Sequence, residues 1–160
     1  MTVNYLEKNL FLIKKNNSDL AVILEKINIP SEILITDTKN GLKTLRIKSE
    51  KGELILLHSE YDPVVEAERL IQQFKIESLN TVFVFGFGFG YHIKELCKNS
   101  SSQSHIFVFE KSFEIFKAAI SNIDFSEILS DTRVHLFIGI EPKSLYKYLR
   151  IYVDLIFESR

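Results

Sequence analysis

The sequence predicts an α/β fold, with a short parallel sheet preceded by a helical hairpin and a two-to-three-strand β-meander. Three observations carry that expectation. Residues 81–90, TVFVFGFGFG, run from an apolar β-type stretch into glycines at alternate positions, and a helical pattern follows. Beyond Asn80 strand and helix patterns alternate, and the strands are apolar on both faces, as strands of a parallel sheet covered by helices on both sides are. The period is helical to about residue 30 and changes to two over residues 33–59.

The hairpin comes first. Tyr5, Leu6, Leu10 and Ile13 recur at helical spacing, Asn16, Asn17 and Ser18 interrupt, and a second helix starts with Ser18 as its N-cap. Its inner stripe is Leu20, Ile23, Leu24 and Ile27, and it ends before Pro30. In residues 33–59 Leu42, Leu45 and Ile47 alternate with Lys43, Arg46 and Lys48, and Lys51-Gly52 turns the chain into residues 53–58. A short strand at 33–35 precedes this pair. Lys39, Lys43, Arg46, Lys48 and Lys51 make one side basic, but Asp37, Glu50 and Glu53 are interleaved, so the charges read as a guard against edge pairing.

Asp62-Pro63 opens the third helix, since Asp caps free amides and Pro suits a first helical position whose N–H has no partner. Val64, Ala67, Ile71 and Phe74 form its inward stripe, with Glu66, Glu68 and Arg69 outside. Strands are then expected at 81–85, 106–110 and 134–138, and helices at 91–97, 113–121 and 142–150. A last apolar segment covers 151–157. The expected organisation is a leader over 1–78 and a Rossmann-like unit over 79–160, within one compact domain. Doubly wound sheets usually hold about five strands or more, so a fragment or N-terminal domain of a longer protein is expected.

A net charge of -1 argues against a broad electrostatic grip on nucleic acid or acidic membranes. The most apolar window carries three glycines and falls short of the ~20 residues that span a bilayer. Cys97 is the only cysteine, which excludes an intrachain disulfide and fits a reducing, cytoplasmic setting. On a helix such a thiol reads as a small buried apolar group.

The candidate chemistry gathers at Gly86, Gly88 and Gly90, because amides at a helix start can face an anionic ligand. Glu110 lies twenty residues beyond Gly90 at the end of the next strand, where a carboxylate accepts from ribose hydroxyls in dinucleotide and S-adenosylmethionine folds. Against this, Phe87, Phe89 and Tyr91 crowd the ligand side, and the glycines serve equally well to let strand, turn and helix pack closely. His58, at a strand end near the same edge, is a secondary ligand contact. His58-Ser59-Glu60-Tyr61-Asp62-Pro63 reads as a capping segment rather than a catalytic triad, whose members come from separate segments. His92 starts the helix after the glycines, as a ligand contact or, the favoured reading, a surface residue. His105 and His135 sit at the opposite strand ends, and neither has a second ligand at metal spacing. No cofactor is identified, and no metal is expected.

The segments LHSEYDPVVEAERL (57–70) and VFVFGFGFGYHIKEL (82–96) together resemble the N-terminal region of motility accessory factor proteins, the flagellin glycosylation family. The likeness covers roughly residues 40–150 and suits a leader in which Asn9-Leu10 opens a helix. It implies kinship to the hydroxymethylpterin diphosphokinase-like family and a bacterial protein concerned with moving a nonulosonic acid from a CMP donor to flagellin Ser or Thr. It further implies catalysis in a larger central domain. His58, Asp62, Glu66, Gly86, Gly88, Gly90, Tyr91 and His92 would then be motif residues of a support, oligomerisation or flagellin-docking module. Two other readings compete: an S-adenosylmethionine- or nucleotide-binding, methyltransferase-like enzyme using the glycine turn, and an interaction protein forming a homo-oligomer through 151–157.

Overall fold

The computed structural model describes residues 4–49, 51–153 and 156. Two helices open the chain, α1 (Tyr5–Asn16) and α2 (Ser18–Lys26). Asn4 caps α1, so Asn9 lies inside the helix rather than opening it. The N-cap of α2 is Asn17, not Ser18: its side chain accepts Leu20 N–H at 3.0 Å. Asn17 closes α1 and starts α2, which leaves Ser18 already helical. The buried face of α2 is Leu20, Ala21 and Leu24, while Ile23 turns outward.

The meander has three antiparallel strands in the order β1 (Ile33–Asp37), β2 (Lys43–Lys48) and β3 (Leu54–Leu56). Lys43 pairs with Asp37 and Arg46 with Glu60, so the basic side is partly neutralised from within. Helix α3 (Pro63–Ile71) starts as expected, with Asp62 Oδ1 accepting Val64 and Val65 N–H at 2.9 and 3.0 Å. Ala67 and Ile71 are buried, but α3 ends before Phe74, which is exposed.

The second sheet is parallel, in the order β4 (Thr81–Phe85), β5 (His105–Glu110) and β6 (Val134–Ile138). Helices α4 (Tyr91–Asn99) and α5 (Phe113–Asn122) follow its first two strands. A five-residue helix, α6 (Ser126–Ser130), was not expected from sequence. Residues 142–150, expected as one helix, divide into a 3-10 turn and α7 (Leu145–Leu149), followed by a second 3-10 turn at Arg150–Tyr152. Of the apolar segment 151–157, residues 154, 155 and 157 lie outside the described residues.

Period-two alternation gives the parallel sheet two different faces. Val82, Val84, Ile106, Val108, Val134, Leu136 and Ile138 turn to the main core, which α4 and α5 share with Ile13 and Leu24 of the hairpin and Leu45 of the meander. Phe107, Phe109 and Phe137 turn the other way, under Leu145, Leu149, Tyr152 and Ile156. Among the described residues that cover stops short of β4. Phe83 is 40% exposed and Phe85 72%, so the phenyl face is only partly closed.

The hairpin is pinned to this frame by one buried amide. Asn9 Nδ2 donates to Ile120 O and Ile123 O at 2.8 and 2.7 Å, and its Oδ1 accepts Phe125 N–H at 3.0 Å. All the polar positions of the side chain that can bond there do so, which is the condition for burying an amide at little cost.

Candidate functional site

Between β4 and α4 the backbone takes positive φ at Gly86 (96°), Gly88 (49°) and Gly90 (66°). Left-handed backbone of this kind suits glycine, so the repeat has a conformational cause before any ligand is considered. The intervening side chains go inward. Phe87 and Phe89 are fully buried, and the Phe87 ring meets Phe116 and Phe125 edge-on at 4.8 and 5.0 Å between centroids. Each such phenyl stabilises the fold by about 2–3 kcal/mol through burial. A side-chain carbon at Gly88 would lie 2.4 Å from His58 Nε2, and one at Gly90 2.5 Å from the Phe125 ring. At Gly86 nothing stands within 4 Å.

Every residue singled out for ligand contact converges here, and the side chains of Glu110, His58 and His92 each bond to the main chain of the turn. Glu110 is buried: its Oε2 accepts Phe87 N–H at 2.9 Å and its Oε1 accepts Ser112 N–H at 2.8 Å. His58 Nε2 accepts Phe89 N–H at 2.8 Å, which places the ring proton on Nδ1. His92 is half-buried rather than on the surface, and its Nε2–H donates to Gly86 O at 3.0 Å. Gly86 N–H donates to Phe109 O and Gly90 N–H to Phe87 O, at 2.7 and 2.8 Å.

The imidazoles of His58 and His92 stack at 6.2 Å. Burial pushes the His58 pKa from 6.5 down to about 4, with neighbouring His92 adding to the effect. Burial also lowers His92, opposed by its bond to Gly86 O and by Glu66. Burial thus favours the neutral form of both rings, and the acceptor role of His58 Nε2 requires it. Tyr91 closes the far side, its hydroxyl donating to Lys43 O at 2.7 Å.

The capping segment behaves as expected. Ser59 Oγ accepts Tyr61 and Asp62 N–H, and Glu66 accepts Ser59 N–H at 2.9 Å. His105 and His135 meet across adjacent strands, Nδ1 to Nε2 at 3.1 Å, at the opposite end of the sheet from the glycines. No group of three metal-ligating side chains exists among the described residues.

From Gly86 a groove of about 1240 Å³ runs along β4 and α3. Leu70, Ile71 and Phe74 form one wall and Val82–Phe85 the other, with His58, Asp62, Glu66 and His92 at the glycine end. Sequence reasoning did not find this groove, because it lies between a helix and a strand edge that no local pattern connects. It also missed Asn9, whose only signal is a polar residue on the apolar side of α1.

A parallel sheet whose first strand runs into a glycine turn, with a helical hairpin and a meander packed into the same core, defines an α/β domain of mixed architecture. Residues 48–158, more than half of the chain, match the family described as glycosyltransferase Maf N-terminal domain. The chain belongs to that family, as its motif segments at 57–70 and 82–96 led us to expect. No curated protein matches it. Among the described residues no helix is long and apolar enough to cross a membrane.

Proposed function

We propose that the chain is the non-catalytic leading domain of a cytoplasmic, motility accessory factor type enzyme. That enzyme transfers a nonulosonic acid from its CMP donor to flagellin Ser or Thr, and this domain supports it and docks protein. Membership of the Maf N-terminal family supports the enzyme class. The observation that carries the non-catalytic role is the bonding of the glycine turn. Glu110, His58 and His92, the groups that would hold a nucleotide, are hydrogen-bonded to Phe87 N–H, Phe89 N–H and Gly86 O. A ligand would have to displace those bonds, leaving buried polar groups unpaired at about 1–3 kcal/mol each.

The test is turnover. The purified chain is incubated with CMP-pseudaminic or CMP-legionaminic acid and flagellin, and both CMP release and flagellin mass are followed. No release and no mass increase are expected. Transfer by this chain alone would overturn the proposal. The competing methyltransferase-like reading draws on the open space at Gly86, and it predicts binding of S-adenosylmethionine at the glycine end of the groove.

A further inference from the structure

Among the described residues strand β4 pairs with β5 only, so its other edge is open there, and the ladder shows which groups that edge presents. Asn80 O accepts His105 N–H at 2.8 Å and Gly86 N–H donates to Phe109 O at 2.7 Å, both toward β5. Along a strand the N–H and C=O of successive residues point alternately to either side. Val82 and Val84 therefore also face β5, and Thr81, Phe83 and Phe85 turn their main-chain groups to the open side. Thr81 Oγ1 is shielded from solvent with no hydrogen-bond partner. Such an edge is a template for another strand.

The groove lies along that edge. Its volume, about 1240 Å³, exceeds the ~300–1,000 Å³ of small-molecule sites, and Leu70, Ile71, Phe74 and Val82–Phe85 make it apolar over most of its length. An extended segment lying there would set alternate side chains against Val84 and Ile71 on one face and beside Phe83 and Phe85 on the other. Both sets are thus required to be apolar. Adding a strand would also cover the two phenyl groups that α7 leaves exposed.

The course of the chain names the source. α4 and α5 pack on the main-core face while β4, β5 and β6 are laid down in one direction. α7 packs on the phenyl face instead. Crossovers between parallel strands are right-handed in ~98% of cases, so a crossover on the opposite face carries the chain back toward β4. Tyr152 is already on that path, its ring 5.3 Å from Phe107 of β5, 5.7 Å from Phe137 of β6 and 5.1 Å from His135 near the strand starts.

We propose that the open edge of β4 receives a parallel, apolar β-strand from the same polypeptide, supplied after the α7 crossover by the glycosyltransferase that this domain leads. The inference rests on the reading of the chain as a leading domain. It adds the part of the enzyme that docks and the place where it docks.

Residue-resolved hydrogen exchange on this chain and on the full-length enzyme tests it. In the chain alone, Thr81, Phe83 and Phe85 amides exchange at least about a hundredfold faster than Val82 and Val84 amides; in the enzyme the two sets are protected alike. Fast exchange of the three amides in both would overturn the proposal. Protection in the chain alone that rises with its concentration would also overturn it, since a second copy would then be the occupant.

Phe83→Pro removes an outward N–H and leaves the β5 ladder intact; it should keep the circular dichroism of the chain and abolish protection of Phe85 in the enzyme. If Phe83→Pro does not fold, Phe85→Lys, at the most exposed phenyl, gives the same readout. Full protection of Phe83 in the Phe85→Lys enzyme would count against the docked strand. An enzyme that protects these amides but transfers no sugar would refute the functional reading while leaving the strand in place.

Discussion

His58 offers the sharpest quantitative test of a turn held by its own side chains. Its pKa is pushed from 6.5 to about 4, by burial first and His92 second. The folded state thus resists a proton that the unfolded chain accepts. The stability contribution is complete above pH 6.5 and is lost as the pH falls through the window down to about 4. At 1.36 kcal/mol per pKa unit, about 2 kcal/mol is gone by about pH 5 and about 3 kcal/mol when protonation is complete. His58→Gln keeps an acceptor within reach of Phe89 N–H but does not titrate. Urea unfolding followed by circular dichroism, from pH 7 to 4, should show the parent losing about 2–3 kcal/mol more than His58→Gln across that window. Groups remote from residue 58 are common to both proteins, so the difference reads the His58 site together with its coupling to His92. Parallel loss of stability by the two would refute the reasoning.

Further outcomes follow from the same contacts. Gly86→Ala meets no neighbour and should cost only the ~1–2 kcal/mol of left-handed backbone, whereas Gly88→Ala, whose added carbon meets the His58 ring, should cost clearly more; equal melting temperatures would contradict this. Glu110→Gln loses one of two buried acceptors and should destabilise by about 1–3 kcal/mol in urea, and a neutral effect would remove Glu110 from the turn. Asn9→Ala breaks three hydrogen bonds from a buried amide, one to α5 and two to the α5–α6 connection, and should cost about 3 kcal/mol or more, with a loss under about 1 kcal/mol counting against the pin. The Cys97 thiol is pushed up from 9.0 to about 11 by burial and then by Asp131, so iodoacetamide should label it roughly a hundredfold more slowly at pH 8 than after unfolding; equal rates would contradict the burial.

Much of this architecture was legible because it is written in local signals. Asp62-Pro63 marks a helix start whose caps form as the residue types demand, and the period-two strands sit where alternation placed them. α6 escaped because five residues, SEILS, are too few for a helical period to show. The glycines were legible as a turn, but their purpose was not. Phe87 and Phe89 look like obstacles to a ligand in sequence, and only the fold shows them filling the core. His92 was expected at the surface because its partner, Gly86 O, is turned toward it by a left-handed residue that sequence patterns do not orient. The incomplete cover over Phe83 and Phe85 was hidden as well, since apolar residues on both faces of a strand predict burial without saying what provides it.

Isothermal titration of the purified chain with CMP, S-adenosylmethionine and NAD tests the closed turn most directly. The bonds from Glu110, His58 and His92 to the turn predict no heat of binding with any of the three. Saturable binding of one of them at micromolar concentration, lost in Glu110→Gln, would show that these side chains serve a ligand and would contradict the account.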